Sequence, residues 1–390
     1  MLWHSAIQRF NSGPNMSKRI FFPYLDTLRF FAFFMVFIGH VFRDYQIQSQ
    51  AISARIINFC LTLSFHGGGE GVNIFFVLSG FLITYLLVAE SNETGRISVW
   101  HFYVRRALRI WPLYYLIFFL GLFILPHVFP ETFPADQSKL LGFTFLVNFD
   151  PVINTDKMNP AFAVAWSVAI EEQFYLVFPL YYLLLFSYTR LYYIITAVII
   201  CCSLFFLYHA DHRVQTAVNV CFLMIGSIGA YHINHGKDRI GLIPFVRKYS
   251  KPILALTLAV LFIRAWASNS VHKWGFNIGL LCSGALGFLY LLVIIRICFG
   301  DPLHRVFNIT SRLGIYSYGF YFYHQMIIFI IRACFDRAHL DYHHSLGLLS
   351  VIGITAFAST LIIGYLSYTY YEKFFLRFKY KFATVIAGKR

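Results

Sequence analysis

Long apolar runs separated by short polar segments dominate the chain. Runs of roughly twenty residues, the length that crosses the hydrocarbon core of a bilayer, cover residues 24–42, 71–88, 107–125, 164–186, 191–208, 216–232, 252–267, 276–298, 313–331 and 346–370. The alternation of apolar and polar positions that marks membrane β-strands is missing from these runs, and helices satisfy their own backbone hydrogen bonds in lipid. The pattern therefore predicts an all-α, polytopic integral membrane bundle of about ten transmembrane helices.

The composition supports this fold class. Of the 390 residues, 58% are hydrophobic and 13% are charged, against about 45–50% and 25% in soluble domains. The seven cysteines form no CxxC pair and have no regular spacing, so they indicate neither a zinc site nor a disulfide framework, and we expect no metal. The lack of an internal repeat in the sequence speaks against the inverted-repeat design of many transporters.

The excess of basic residues predicts the topology. The formal charge of +15 would suggest nucleic acid in a soluble protein, but cytoplasmic loops of membrane proteins produce the same excess. Lys and Arg concentrate in both tails and in residues 96–109, 237–251 and 296–312. With an even number of spans, this distribution places both termini in the cytoplasm and the acidic, proline-rich loop 126–163 outside. We expect the lipid bilayer as a partner and no nucleic acid.

These observations divide the chain into three parts. We expect a cytoplasmic N-terminal tail at residues 1–23, a transmembrane domain at 24–371 and a basic cytoplasmic tail at 372–390. The first apolar run is too long for a signal peptide and lacks a small-residue cleavage site, so we expect it to be retained. The natural start is left open between Met1 and Met16.

Ionisable residues at membrane depth are expensive and are therefore candidates for function. Arg29 and His40 lie eleven residues apart in the first run, a spacing that places them on one helix face with about 16 Å of rise between them. Alone, Arg29 would be explained as a snorkelling anchor and His40 as an interfacial histidine. Their shared face favours a functional pair.

Two further charged groups occur in the third and fourth runs. Arg106 and Arg109 are neighbours on one helix face and can clamp a phosphate, although ordinary cytoplasmic anchoring explains them equally well. Glu171 and Glu172, with Tyr175 one turn later, suggest a polar cavity. We favour Glu171 over Glu172 as the functional carboxylate.

The remaining candidates are weaker. The glycines of residues 67–71 allow a tight re-entry and a close backbone approach, and Glu70 and Asn73 beside them are candidates to bind or support a substrate. For Ser79 and Gly80 we expect helix packing. His324 is a buried histidine expected to pack, form hydrogen bonds or support the site.

Several segments resemble the acyltransferase family 3 membrane proteins, which are bacterial O-acyltransferases that modify surface polysaccharides and other glycans. They are YLDTLRFFAFFMVFIGH (24–40), GGGEGVNIFFVLSGFLITYLL (67–87), FYVRRALRIWPLYYL (102–116) and WSVAIEEQFYLVFP (166–179), with weaker matches in SYGFYFYHQ (317–325) and YYEKFF (370–375). Their order and spacing are those of the family.

The resemblance implies a membrane enzyme that takes an acyl group from cytoplasmic acyl-CoA and passes it to an acceptor on the far side of the membrane. The family's Arg-x10-His motif falls on Arg29 and His40, its Arg-x-x-Arg motif on Arg106 and Arg109, and the glutamate of its W-S-x-x-x-E motif on Glu171. It also implies a multi-pass protein of the bacterial cytoplasmic (inner) membrane, with a glycan or lipid-linked sugar as the acceptor.

Together these observations predict transfer of an acyl group, acetyl foremost, from acyl-CoA to a sugar hydroxyl. The three arginines would hold the CoA phosphates, and His40 would act as general base. Glu171 would orient His40 or bind the sugar. An acyl-histidine intermediate stays open, as does a different class of protein, a carrier or flippase for a lipid-linked glycan.

Overall fold

The computed structural model describes residues 18–20, 22, 24–43, 52–151, 158–209, 215–234, 241–268, 273–299, 306–343, 345–382 and 385–387. Met16 and most of the predicted N-terminal tail lie outside these residues. So do parts of the external loop, of the basic segment 237–251 and of the C-terminal tail.

Helices make up nearly all of the described chain. They are α1 (Leu25–Val41), α2 (Ile52–Thr94), α3 (Val99–Phe119), α4 (Leu125–Val128), α5 (Lys139–Phe143), α6 (Ala165–Leu185), α7 (Thr189–His209), α8 (Thr216–Asn234), α9 (Leu242–Lys248), α10 (Ser250–Ser268), α11 (Lys273–Phe299), α12 (Val306–Gly314), α13 (Ser317–Arg337), α14 (Leu346–Ser367) and α15 (Lys373–Lys379). A π-helical turn at Leu120–Ile124 joins α3 to α4, and a second at Tyr368–Glu372 joins α14 to α15. Three-residue 3₁₀ turns lie at Val147–Phe149, Pro160–Phe162 and Tyr380–Phe382.

The predicted polytopic helical membrane fold is confirmed. Within the described residues, eight helical stretches are long and apolar enough to cross a membrane. The other two predicted spans correspond to α1 and α13. Helix α1 has 17 residues and rises only about 25 Å, which is less than the roughly 30 Å of a bilayer core. Helix α13 carries buried polar side chains that lower its hydropathy, among them His324 and Gln325.

The centre of the bundle is the contact between α2 and α8. In their most apolar stretches 78% and 72% of the residues are buried, against 22% in α7, α10 and α14. Gly80 faces the backbone of Leu223, and Gly226 faces the backbone of Val77, so closely that a Cβ at either glycine would overlap the facing carbonyl. Gly80 is therefore a packing residue, as the sequence predicts, and α7, α10 and α14 form the lipid-facing periphery.

The glycine-rich segment before the second span differs from the expectation. The glycines of residues 67–71 permit a tight re-entry, but α2 runs through them as one 43-residue helix. The close backbone approach is present, because Gly71 leaves no room for a Cβ against the carbonyl of Ala32 in α1.

Two short strands add a feature that the sequence does not predict. Strand β1 (Lys18–Ile20) pairs in parallel with β2 (Val385–Ala387), so the two terminal segments meet on the same side of the bundle. That this side is cytoplasmic stays a prediction. The predicted boundary at residue 372 falls inside the continuous helical stretch Leu346–Lys379.

Candidate active site

A cavity that is partly open to solvent lies between α1, α2, α3, α6 and α13. Most of its apolar side chains come from α2, and all five helices contribute polar or charged side chains. The lining residues are Arg29, Val72, Phe75, Phe76, Leu78, Ser79, Leu82, Arg106, Arg109, Ile110, Ser167, Val168, Glu171, Tyr175, Ser317, Tyr318 and Tyr321.

One face of α6 supplies the polar wall. Ser167, Glu171 and Tyr175 follow each other at intervals of four residues and so lie one above the other. The Tyr175 hydroxyl donates a hydrogen bond to Oε2 of Glu171 at 3.1 Å and makes a short contact with Oγ of Ser79. Because the single Tyr175 proton is used on Glu171, Ser79 donates to Tyr175. The carboxylate of Glu171 is thus held at the end of a hydrogen-bonded chain from α2.

Three arginines belong to the cavity wall, and the sequence predicts that they act together. Arg29 of α1 and Arg106 and Arg109 of α3 all line the cavity. Arg29 pairs with Asp26 at 2.6 Å, and the guanidinium of Arg106 lies 5.4 Å from the ring centre of Tyr175. Within the described chain, neither Arg106 nor Arg109 has a carboxylate within ion-pair distance. The cavity therefore carries an excess of positive charge, which suits an anionic ligand.

His40 lies at the other end of α1, outside the cavity lining. Its ring centre is 5.3 Å from that of His324 in α13. His324 is fully buried, and its Nδ1 lies 2.7 Å from the carbonyl oxygen of Tyr321 and 3.2 Å from that of Phe320. Carbonyl oxygens only accept, so Nδ1 carries the proton and Nε2 is the basic nitrogen. Within the described residues, Nε2 has no hydrogen-bond partner.

Tyr321 connects the cavity to the two histidines. It lines the cavity, its ring centre is 5.8 Å from that of His324, and its hydroxyl lies 2.8 Å from Oγ of Ser167. Since Ser167 donates to the carbonyl of Val164 at 3.0 Å, Tyr321 is the donor to Ser167. The series Tyr321, His324, His40 runs from the cavity wall to the far end of α1.

Three of the predicted supporting residues lie apart from this cavity. Glu70 is fully buried and forms an ion pair with Arg264. Glu172 accepts a hydrogen bond from Nε1 of Trp111 at 3.0 Å, and Asn73 is buried without lining the cavity. Tyr175, the fourth, is part of the cavity wall. Direct substrate contacts of Glu70, Glu172 and Asn73 stay predictions.

The sequence predicts helix packing for Ser79, and its contact with Tyr175 joins α2 to α6. Its place in the cavity lining was not predicted. Ser79 follows the wall of α2 formed by Val72, Phe75 and Phe76 at helical intervals, whereas Gly80, rotated by about 100°, faces α8. Tyr318 and Tyr321 were also missed, although Tyr321 lies four residues after Ser317 and three after Tyr318 on α13, which was a usable signal. Among the described residues, no group of three or more His, Cys, Asp or Glu side chains is arranged to hold a metal ion.

Fold and cavity together define a multi-pass membrane protein with an arginine-lined cavity inside the helical bundle. A family model described as "Acyltransferase domain" matches residues 22–369. The chain belongs to this family, the acyltransferase 3 family, which confirms the resemblance and the predicted class of enzyme.

Curated relatives are similar over parts of their length. O-acetyltransferase OatA of Staphylococcus aureus is 35% identical over 170 residues, which are 41% of this chain and 24% of the relative. Peptidoglycan O-acetyltransferase OatA of Listeria monocytogenes is 24% identical over 351 residues, 81% of this chain and 53% of the relative. The chain thus matches a quarter to about half of these proteins. No solved structure matches.

Proposed function

We propose that the protein is a membrane O-acyltransferase that moves an acyl group, acetyl foremost, from acyl-CoA to a hydroxyl of a glycan. The chain belongs to an acyltransferase family, and the observation that carries this proposal is the charge of its cavity. Among the described residues, the lining includes Arg106 and Arg109 but only one carboxylate, that of Glu171. The phosphates of CoA supply the missing anions. Guanidinium forks match phosphate geometry and make charge-assisted hydrogen bonds.

The donor would enter with its phosphates at the arginine end and its thioester directed toward His40. Arg29 and His40 are separated by about 16 Å of helix rise, a distance that the extended pantetheine arm can span. The contacts from Tyr321 to His324 and from His324 to His40 support a route along this line.

At the thioester, His40 would remove the proton of the acceptor hydroxyl, which is a weak nucleophile at neutral pH. The hydroxyl oxygen then forms a bond to the acyl carbon, the carbon–sulfur bond breaks, and CoA leaves as a thiol that takes up a proton. His324 supports His40, and Glu171 positions a substrate hydroxyl or His40 itself. Transfer through an acyl-histidine is the alternative course.

The names of the relatives suggest the acceptor. The Listeria relative is called a peptidoglycan O-acetyltransferase, so a cell-envelope glycan or its lipid-linked precursor is our proposed acceptor. The multi-pass fold and the basic segments suit the bacterial cytoplasmic membrane, with the termini and the donor on the cytoplasmic side and the acceptor outside. Family membership counts against the carrier or flippase alternative.

The decisive experiment follows labelled acetyl groups with purified protein in proteoliposomes. The wild type should transfer label from acetyl-CoA to a glycan acceptor, whereas a carrier would move the glycan without consuming CoA. His40→Gln keeps a polar side chain but removes the base, so transfer should fall by about 10²–10⁴-fold while CoA binding and the melting temperature are preserved.

The matched control is His127→Gln, because His127 is exposed at the end of α4 and outside the cavity. This variant should transfer acetyl groups at the wild-type rate. Near wild-type transfer by His40→Gln would remove His40 from the chemistry and make Glu171 the next candidate for the base.

A further inference from the structure

The C-terminal segment packs along α3, the helix that carries the arginine pair. The hydroxyl of Tyr371 donates to the carbonyl of Pro112 at 3.0 Å. Further along, Nη1 of Arg105 donates to the carbonyl of Phe382 at 2.7 Å, and the ring centres of Phe382 and His101 are 5.7 Å apart. Residues 371–382 are thus fixed to the bundle at both ends of α15.

This packing brings a lysine to the arginine cluster. Lys379, the last residue of α15, is half-buried and lies within electrostatic range of Arg29, Arg105, Arg106 and Arg109. The segment beyond residue 371, which the sequence presents only as a basic tail, therefore contributes to the charge of the cavity region.

Two carboxylates near this cluster form ion pairs with it. Asp26 pairs with Arg29 at 2.6 Å, and Glu90 pairs with Arg105 at 2.8 Å. Two others lie within electrostatic range of Arg109 and form no ion pair within the described residues, namely Glu171 and Glu372. In the described part of the chain, Lys379 makes no ion pair with a carboxylate. Partly buried cations that lack an ion-paired carboxylate repel one another and raise the free energy of the empty site. A ligand with several negative charges would reduce this repulsion.

We propose that Lys379 binds phosphate of the acyl donor and that the C-terminal segment thereby completes the donor site. The proposal rests on the proposed function, since it takes acyl-CoA as the ligand. CoA carries a pyrophosphate and a separate phosphate, which is more negative charge than the two unpaired arginines match. An ammonium with three rotatable donors suits a second phosphate contact beside the guanidinium forks.

Acetyl-transfer kinetics of the purified full chain test the proposal. Lys379→Gln should raise the KM for acetyl-CoA about five- to tenfold, the effect of losing one partly exposed charge-assisted contact, and leave kcat within about twofold because the contact is the same in ground and transition states. Lys379→Arg should retain most of the affinity. Lys373→Gln is the matched control, since Lys373 begins the same helix and is exposed, and its KM should stay at the wild-type value.

Calorimetric titration with CoA distinguishes a failure of the proposed function from a failure of the role of Lys379. If the wild type neither binds CoA nor transfers acetyl groups, the proposed function fails. If the wild type does both and Lys379→Gln has an unchanged KM, or if Lys373→Gln raises the KM equally, the role of Lys379 is overturned. A lower kcat with unchanged KM in Lys379→Gln would also overturn it.

Discussion

Two groups of charged side chains lie inside the bundle, and they differ in how their charge is balanced. In the first, Arg106 and Arg109 share the cavity lining with the carboxylate of Glu171, and within the described residues neither arginine forms an ion pair. In the second, between α2, α10 and α11, Glu70 pairs with Arg264 and also accepts a hydrogen bond from Tyr290 at 2.7 Å.

The difference separates a binding site from a structural contact. Burying a charge is costly unless a partner neutralises it. The Glu70 group is neutralised within the protein, with side-chain exposures of 0% for Glu70 and 12% for Arg264, so it joins helices and leaves little charge for a ligand. In the cavity group, Arg106 and Arg109 form no ion pair within the described residues, so their charge is available to the proposed ligand.

The largest expected effect concerns stability. Glu70→Ala removes the carboxylate that faces Arg264 and should lower the free energy of unfolding by about 3–5 kcal/mol, because one member of a buried pair is left without the other. Thermal denaturation in detergent measures the loss. The double variant Glu70→Leu with Arg264→Met should recover much of it.

This prediction also tests the sequence-based role of Glu70 as a residue that contacts the substrate. An unchanged melting temperature in Glu70→Ala, combined with an altered KM for either substrate, would move Glu70 into the functional site and erase the distinction between the two groups.

Substitutions at the cavity should have a smaller effect, and this effect should appear in the KM for acyl-CoA. Arg106→Ala and Arg109→Ala should each raise the KM for acyl-CoA about tenfold, the cost of one charge-assisted contact, with little change in kcat. The melting temperature should not fall as in Glu70→Ala, since repulsion is relieved. Lysine at either position should restore only part of the affinity.

Steady-state kinetics and melting curves of the same preparations test whether Arg106 and Arg109 bind the donor. Collapsed turnover at an unchanged KM would contradict a donor-binding role for these arginines. A melting temperature as low as that of Glu70→Ala would make them structural.

The smallest effect is a salt dependence. The Debye length falls from about 10 Å at 0.1 M to 3 Å at 1 M salt, so the KM for acyl-CoA should rise about two- to threefold over this range at the part-exposed cavity. The stability difference between wild type and Glu70→Ala should stay constant, because a buried pair is screened much less. If salt changed the KM for acyl-CoA and the stability difference of Glu70→Ala to the same extent, the two charged groups would not differ in how their charge is balanced.

Local periodicity explains what the sequence could predict. The four-residue spacing of Glu171 and Tyr175, the three-residue spacing of Arg106 and Arg109, and the position of Arg29 near the start of its run each define a helix face. Once the spans are placed, these faces meet in one cavity.

Contacts between distant helices explain what the sequence could not predict. Nothing near His40 in the chain indicates that His324 lies beside it, and nothing near Glu70 indicates Arg264. Whether a buried charge is neutralised is a tertiary property, so Glu70 and Glu171 look alike in the sequence and differ in the structure. The packing of the C-terminal segment along α3 has the same origin.

The glycine contact between α2 and α8 influences the geometry of the cavity, although no described residue of α8 lines it. Because the backbone of α2 rests directly on α8 at Gly80, the rotation of α2 about its own axis is fixed at that residue. Ser79 directly precedes Gly80 in the chain, so the same contact fixes the direction of its hydroxyl toward Tyr175. A larger side chain at Gly80 would turn or lift α2 and uncouple Ser79 from the carboxylate of Glu171. The geometry of the polar wall is thus determined at a residue outside the cavity lining.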